Sequence, residues 1–265
     1  MKIITLIENL VTDMALVAEH GLSFSIEAGD KRILFDTGAG PDFEKNAIVL
    51  GIDISEVDYL VVSHGHYDHI GGLTRFLEVN EKAAIYLKKE SLEAKYSGDR
   101  YIGVSSVIDK SLSRFRFVTA ITEIVPGVFV MPSTINYFSI DRHWNGFFRE
   151  QNGNRKADEF DDELFLCIRK DEKLTIISSC SHNGITNIAE TAREYFRLPV
   201  ERVIGGFHTK NDSVESIKSI AGYFNVAGVG EVHTCHCTGI EQYVHLKNEC
   251  RSDVKYNQTG SIIII

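Results

Sequence analysis

Ser63-His64-Gly65-His66-Tyr67-Asp68-His69 puts three imidazoles and one carboxylate within six residues, directly after the apolar run Tyr59-Leu60-Val61-Val62. Four consecutive apolar residues read as a strand buried on both faces. Residues 70–79 beyond the cluster have helical character, so the unit is strand, polar loop, helix. On an extended chain alternate side chains share a face, so His64 and His66 address one place. Where the chain turns into a helix, Asp68 and His69 address a neighbouring one. Two metal sites a few ångströms apart fit that pattern. Imidazole nitrogen with one carboxylate suits zinc, with manganese and iron as alternatives. A solvated His-rich loop is the bland alternative. At this chain's residue frequencies the pattern arises by chance on the order of once in a thousand such chains, which favours the metal reading.

The rest of the chain is ordinary globular composition: 265 residues, 43% hydrophobic and 25% charged, with a formal charge of −9. That length supports one large domain with its own core, and one domain is the expectation here. The acidic balance and a pI near 5.6 argue against the broad basic surface that nucleic acid or anionic lipid requires. No stretch approaches the roughly 20 apolar residues of a membrane span, and the first ten residues read as a strand rather than a signal core. Five cysteines, an odd count in a chain of this size, point to reduced thiols and a cytoplasmic setting.

Outward from the cluster, strands are expected at residues 3–7, 22–28 and 32–36, the last two joined at Gly29-Asp30. A helix follows Pro41 and ends at Gly51. Another strand is expected at 83–87. Residues 88–160 lose periodicity while gathering Tyr, Phe, Trp and Arg, and read as an insertion or lid. A hairpin returns at 164–169 and 173–179, then a helix at 185–196, a strand at 202–205, a helix at 214–224, a strand at 226–232 and a last strand at 261–265. Hairpins mixed with strand–helix alternation imply an α/β protein of α+β type, a four-layer αββα sandwich of two mixed sheets with helices outside.

Ser63–His69 and the Ile70-Gly71-Gly72-Leu73 that follows it resemble the H-x-H-x-D-H signature of the metallo-β-lactamase fold superfamily. Ile33-Leu34-Phe35-Asp36-Thr37-Gly38 resembles that superfamily's first motif, whose Asp braces the metal loop. Ser179-Cys180-Ser181-His182-Asn183-Gly184-Ile185, Gly205-Gly206-Phe207-His208 and His236-Cys237-Thr238-Gly239 look like one branch of it, described as metal-dependent hydrolases. That branch includes a dihydropterin-ribofuranosylaminobenzene-phosphate synthase. The resemblance implies two divalent metals, the first held by His64 and His66 and the second by Asp68 and His69. Superfamily members commonly have a further His before the hairpin strand near Leu164, and nothing here matches it. His182 is taken to replace it on the first metal, and His236 to complete the second. Cys180 stands near the usual place of a bridging Asp and is either a ligand or a small buried residue.

His208 is read as a cleft residue, a general acid or substrate contact, against an ordinary loop histidine. His233, Cys235, His236 and Cys237 could form a zinc knuckle, though no second pair stands at knuckle spacing. His20 and His245 have no partners in sequence. Asp161-Asp162-Glu163 could supply a carboxylate, although such runs are usually solvated turns. The function expected is metal-dependent hydrolysis of a small anionic metabolite, with Asp68 and His208 as catalytic residues. The alternatives are a transferase joining a pterin diphosphate to an aryl amine, and a non-catalytic metal-binding module.

Overall fold

The structure is a computed structural model and describes residues 1–104, 108, 109, 112–151 and 153–265. The chain forms two compact units: Met1–Thr119 with Trp144–Leu164 and Gln258–Ile265, and Ala120–His143 with Phe165–Asn257.

The first unit is built on a seven-stranded mixed sheet in the order Ile262–Ile264, Lys2–Ile7, Ser23–Ala28, Lys31–Phe35, Tyr59–Val61, Ala84–Leu87, Phe115–Phe117. Its first four strands pair antiparallel and the rest parallel. Helices Asp42–Val49 and Leu73–Val79 place Phe43, Ala47, Leu73 and Phe76 in one core with Ile4, Leu6, Leu34, Leu60 and Ile85. The helical character expected at 70–79 resolves into two pieces, Tyr67–Ile70 and Leu73–Val79. Gly71 and Gly72 lie between them against backbone: a Cβ on Gly71 would stand 2.3 Å from the Ala39 carbonyl oxygen, and one on Gly72 2.4 Å from that of Thr37. Only glycine allows that approach.

The second unit has its own seven-stranded sheet, ordered Asp253–Tyr256, Glu231–Thr234, Val200–Gly205, Lys173–Ser178, Phe165–Lys170, Val128–Met131, Thr122–Val125. The first four are parallel and the others antiparallel. Helices Ile185–Phe196, Val214–Ala227 and Ile240–Glu249 line one core with Ile176, Val203 and Val232. The strand expected at 226–232 starts at Glu231, because Val226 and Ala227 close the preceding helix and Gly228 ends it in the left-handed conformation. The helix Ile240–Glu249 and the strand Asp253–Tyr256 were not read from the sequence.

Residues 88–160 distribute over three sheets. Phe115–Phe117 edges the first, Thr122–Val125 and Val128–Met131 the second, and Asn154–Ala157, Phe147–Gln151, Ala94–Ser97 and Arg100–Tyr101 form a four-stranded antiparallel sheet of the first unit. Of the stretch read as a lid, residues 105–107, 110, 111 and 152 lie outside the described residues. Among the described residues no helix is long and apolar enough to cross a membrane.

Candidate metal centre

In the first unit the quoted stretch is a strand end, a tight loop and a four-residue helix, Tyr67–Ile70. His64, His66, Asp68 and His69 are all buried. Ring centroids lie 4.6 Å apart for His64 and His66, and 4.3 Å for His64 and His69. Asp36 holds the loop from below, as its motif implied. Its Oδ1 accepts the Ser63 N–H at 2.7 Å; its Oδ2 accepts the Ser63 hydroxyl at 2.7 Å and His69 Nδ1 at 2.9 Å. Since Ser63 spends its proton on Asp36, its oxygen accepts from His64 Nδ1 at 2.8 Å. Both imidazoles are thereby fixed as the tautomer whose Nε2 carries the lone pair, the form a metal binds. Burial, then the neighbouring imidazoles of His69 and His66, holds His64 well below the usual histidine range, and burial pulls His66 down to about 3. Both are neutral at pH 7.

Three further features of this unit shape the loop. Asp162 Oδ2 accepts the N–H of Gly65, the residue between His64 and His66, at 2.8 Å. Its Oδ1 takes a hydrogen bond from Lys95 at 2.9 Å, and Lys95 also donates to Asp158 Oδ2 at 2.7 Å. All three side chains are buried. Burial raises the Asp158 carboxyl, with Asp162 adding to it; burial would raise Asp162 as well, but the Lys95 charge and hydrogen bond hold it down. The expected fate of the 161–163 run is therefore corrected: Asp162 and Glu163 are interior groups. His66 stacks on Phe147 at 5.3 Å and meets the edge of Phe160 at 5.5 Å. His20, which has no partner nearby in sequence, faces Asp68, Nε2 to Oδ2 at 3.3 Å.

In the second unit the remaining candidates sit where parallel strands end. Cys180 and His182 follow Lys173–Ser178, His208 follows Val200–Gly205, and His236 follows Glu231–Thr234. Ser181, His208 and His236 adopt left-handed backbone conformations, φ 56°, 55° and 51°. Strain at side chains that carry chemistry is a mark of functional loops. Ser181 Oγ donates to the Gly206 carbonyl at 2.7 Å. His182 Nδ1 donates to the His143 carbonyl at 3.3 Å, again leaving Nε2 as the lone-pair nitrogen. Ligand atoms of Cys180, His182 and His208 lie within 4.8 Å of one another, and so do those of Cys180, His236 and Cys237.

Two residues here stand outside the site expected from the sequence, His143 without a role and Cys237 only in the alternative of a zinc knuckle. His143, whose ring lies 5.3 Å from that of His208, holds both carboxylate oxygens of Asp212 at 3.1 Å. Burial alone would lower it, but the Asp212 bond raises it above the usual range. Cys237 Sγ accepts the His208 N–H at 3.2 Å. Burial would push its thiol up, yet the Cys180 hydrogen bond and the imidazoles of His236 and His208 bring it well below the usual thiol range. The signal for Cys237 was its place beside His236, which alone says nothing of Cys180. His233, weighed for a zinc knuckle, pairs with Glu231 at 2.9 Å.

Residues 17–176 match the profile of the family described as the metallo-beta-lactamase superfamily. The chain belongs to that superfamily. It is 36% identical, with a TM-score of 0.89, to the solved structure of Tm1679, described as a metal-dependent hydrolase of the beta-lactamase superfamily, covering 100% of this chain and 98% of that one. This shared fold is of the αββα class expected from the sequence. Two relatives come from Methanocaldococcus jannaschii. An uncharacterized protein is 31% identical over 254 residues, 93% of each chain. A 7,8-dihydropterin-6-methyl-4-(beta-D-ribofuranosyl)-aminobenzene-5'-phosphate synthase is 28% identical, covering 99% of this chain and 96% of the other.

Proposed function

We propose that this metallo-beta-lactamase superfamily member is a metal-dependent hydrolase of a small anionic metabolite, working with two divalent cations, zinc foremost. The observation that carries the reading is the donor set. Buried neutral imidazoles have Nδ1 committed to Ser63, Asp36 or the His143 carbonyl and Nε2 left as the ligand nitrogen. A carboxylate, Asp68, and a thiol, Cys180, accompany them. That set fits zinc. Under this proposal His64, His66 and His182 hold one cation, and Asp68, His69 and His236 the other, with Cys180 as an added ligand. Cations bound there supply Lewis acidity and acidify a water towards neutral pH. Asp68, itself fixed by His20, orients the attacking water. His208 gives a proton to the leaving group. His143, anchored by Asp212, sits against His208 and keeps that ring in place. An acidic protein still admits an anion where the cations offset its charge locally. Nucleic acid and membrane are not proposed as partners, and the thiols suit a reducing cytoplasm.

The test is metal analysis of the purified protein with a panel of esters, lactones, phosphodiesters and thioesters, before and after chelation. Hydrolysis that is lost on chelation and in His66→Ala supports the proposal; metal-free protein with full activity refutes it. A second reading, condensation of a pterin diphosphate with an aryl amine, is favoured by the end-to-end likeness to the synthase. Incubation with both substrates separates the two by whether a coupled product or only hydrolysis appears.

A further inference from the structure

We infer that Cys237 is a metal ligand, forming with Cys180 and His236 a two-sulfur, one-imidazole face that selects a soft divalent ion. This rests on the metal reading above and extends it to a residue that reading leaves out.

The geometry is contained in the second unit. The two sulfurs and a His236 ring nitrogen lie within 4.8 Å of one another. Zinc bonds of about 2.0–2.3 Å in a tetrahedron place ligand atoms roughly 3.3–3.8 Å apart, so small side-chain rotations close the set on one ion. All three residues are buried. Three neighbouring parallel strands converge there, with Ser178, Gly205 and Thr234 in register. Gly206 admits the sulfur: a Cβ at that position would stand 2.6 Å from Cys237 Sγ and 2.4 Å from the Ser179 carbonyl oxygen. The N–H of His208 donates to Cys237 Sγ at 3.2 Å, the kind of bond that steadies a ligating thiolate. His236 is held at φ 51°, a conformation that non-glycine residues rarely adopt. Two thiolates with an imidazole favour zinc over magnesium, calcium or manganese, whereas an imidazole–carboxylate set discriminates less.

Cobalt(II) substitution tests the inference without reference to turnover. Wild-type cobalt protein is expected to show a near-ultraviolet sulfur-to-cobalt charge-transfer band beside the visible d–d bands. Cys237→Ser should lose about half the charge-transfer intensity, and the Cys180→Ser/Cys237→Ser double variant all of it, while the d–d bands persist on the imidazole ligands. A Cys237→Ser spectrum of wild-type intensity overturns the inference. So does d–d absorption with no charge-transfer band in the wild type, which leaves the metal reading standing. Wild-type protein that binds no cobalt sinks both. Because the serine variant can misfold, X-ray absorption on the wild-type zinc protein is the independent check: a sulfur shell near 2.3 Å counting two sulfurs per chain is expected, and one or none refutes it.

Discussion

Replacing Lys95 with methionine should expose how far the metal loop depends on a buried charge cluster. The ammonium stands within 2.7 Å of Asp158 and 2.9 Å of Asp162, and all three side chains are excluded from solvent. Removing one partner of such a cluster costs about 3–5 kcal/mol, because the remaining charge is stranded. A separate route gives a similar size. Two carboxylate oxygens that shared one nitrogen repel by about 3 kcal/mol at an effective dielectric near 20 once it is gone. That repulsion raises a carboxyl pKa by about two units, on top of the burial already raising Asp158. The sign follows: a carboxyl whose folded pKa lies above its unfolded value binds a proton on folding, so its penalty is full at high pH and relieved as pH falls. Lys95→Met is therefore expected to lose about 3–5 kcal/mol near pH 7, with the deficit to wild type shrinking towards about pH 5. The assay is guanidinium unfolding followed by Trp144, the chain's single tryptophan and a residue of the same unit. A deficit below about 1 kcal/mol, or one that does not change with pH, would refute the reasoning.

Asp36→Asn keeps an acceptor for the Ser63 N–H but puts an NH2 donor where Oδ2 accepted from the Ser63 hydroxyl and His69 Nδ1; zinc affinity should fall roughly 10–100-fold in chelator competition, and an unchanged constant counts against the brace. Gly206→Ala should cost about 1–3 kcal/mol by forcing its Cβ against the Ser179 carbonyl and Cys237 Sγ, and should weaken the sulfur-to-cobalt band. Arg202→Leu should cost about 1 kcal/mol. Arg202 bonds hold Glu231 at about 2, so the contribution is present above the unfolded value of about 4.3 and lost as pH falls through the folded one; a difference between wild type and variant that persists undiminished below pH 2 contradicts it.

What was legible in the sequence was local. The histidine-rich loop is contiguous, so its candidate ligands, the strand before it and the helix after it are legible together, and the helix Ile185–Phe196 has the bounds expected of it. What escaped depends on distant groups meeting. Lys95, Asp158 and Asp162 carry the charges of surface residues, yet all three are buried, with Lys95 on the strand Ala94–Ser97 of the third sheet. Val226 has the branched side chain of a strand residue, yet it is exposed at the end of a helix, where propensity yields to the amphipathic face before it. The four-stranded sheet was unreadable because its pattern is not apolar alternation. Arg155, on a wholly exposed strand, sets its guanidinium over the rings of Tyr96 and Phe148 at 4.7 and 4.6 Å, so a charged head group packs on the aromatic faces there.

One rule places the candidate ligands in each unit separately. In the first, Phe35 and Val61 end neighbouring parallel strands in register, so Asp36 and Ser63 emerge side by side and the Asp can brace the loop. In the second, Ser178, Gly205 and Thr234 end three parallel strands in register, and the residues just beyond them are Cys180, His208 and His236. Carboxyl ends of parallel strands are where the backbone leaves the ladder and loops are free to take unusual conformations. Asp36, Ser181, His208 and His236 make up half of the non-glycine residues with positive φ among those described. The antiparallel parts of both sheets contribute none of these ligands. A hairpin turns its chain back at once, whereas a parallel strand must end in a crossover loop long enough to hold a ligand and turn into a helix.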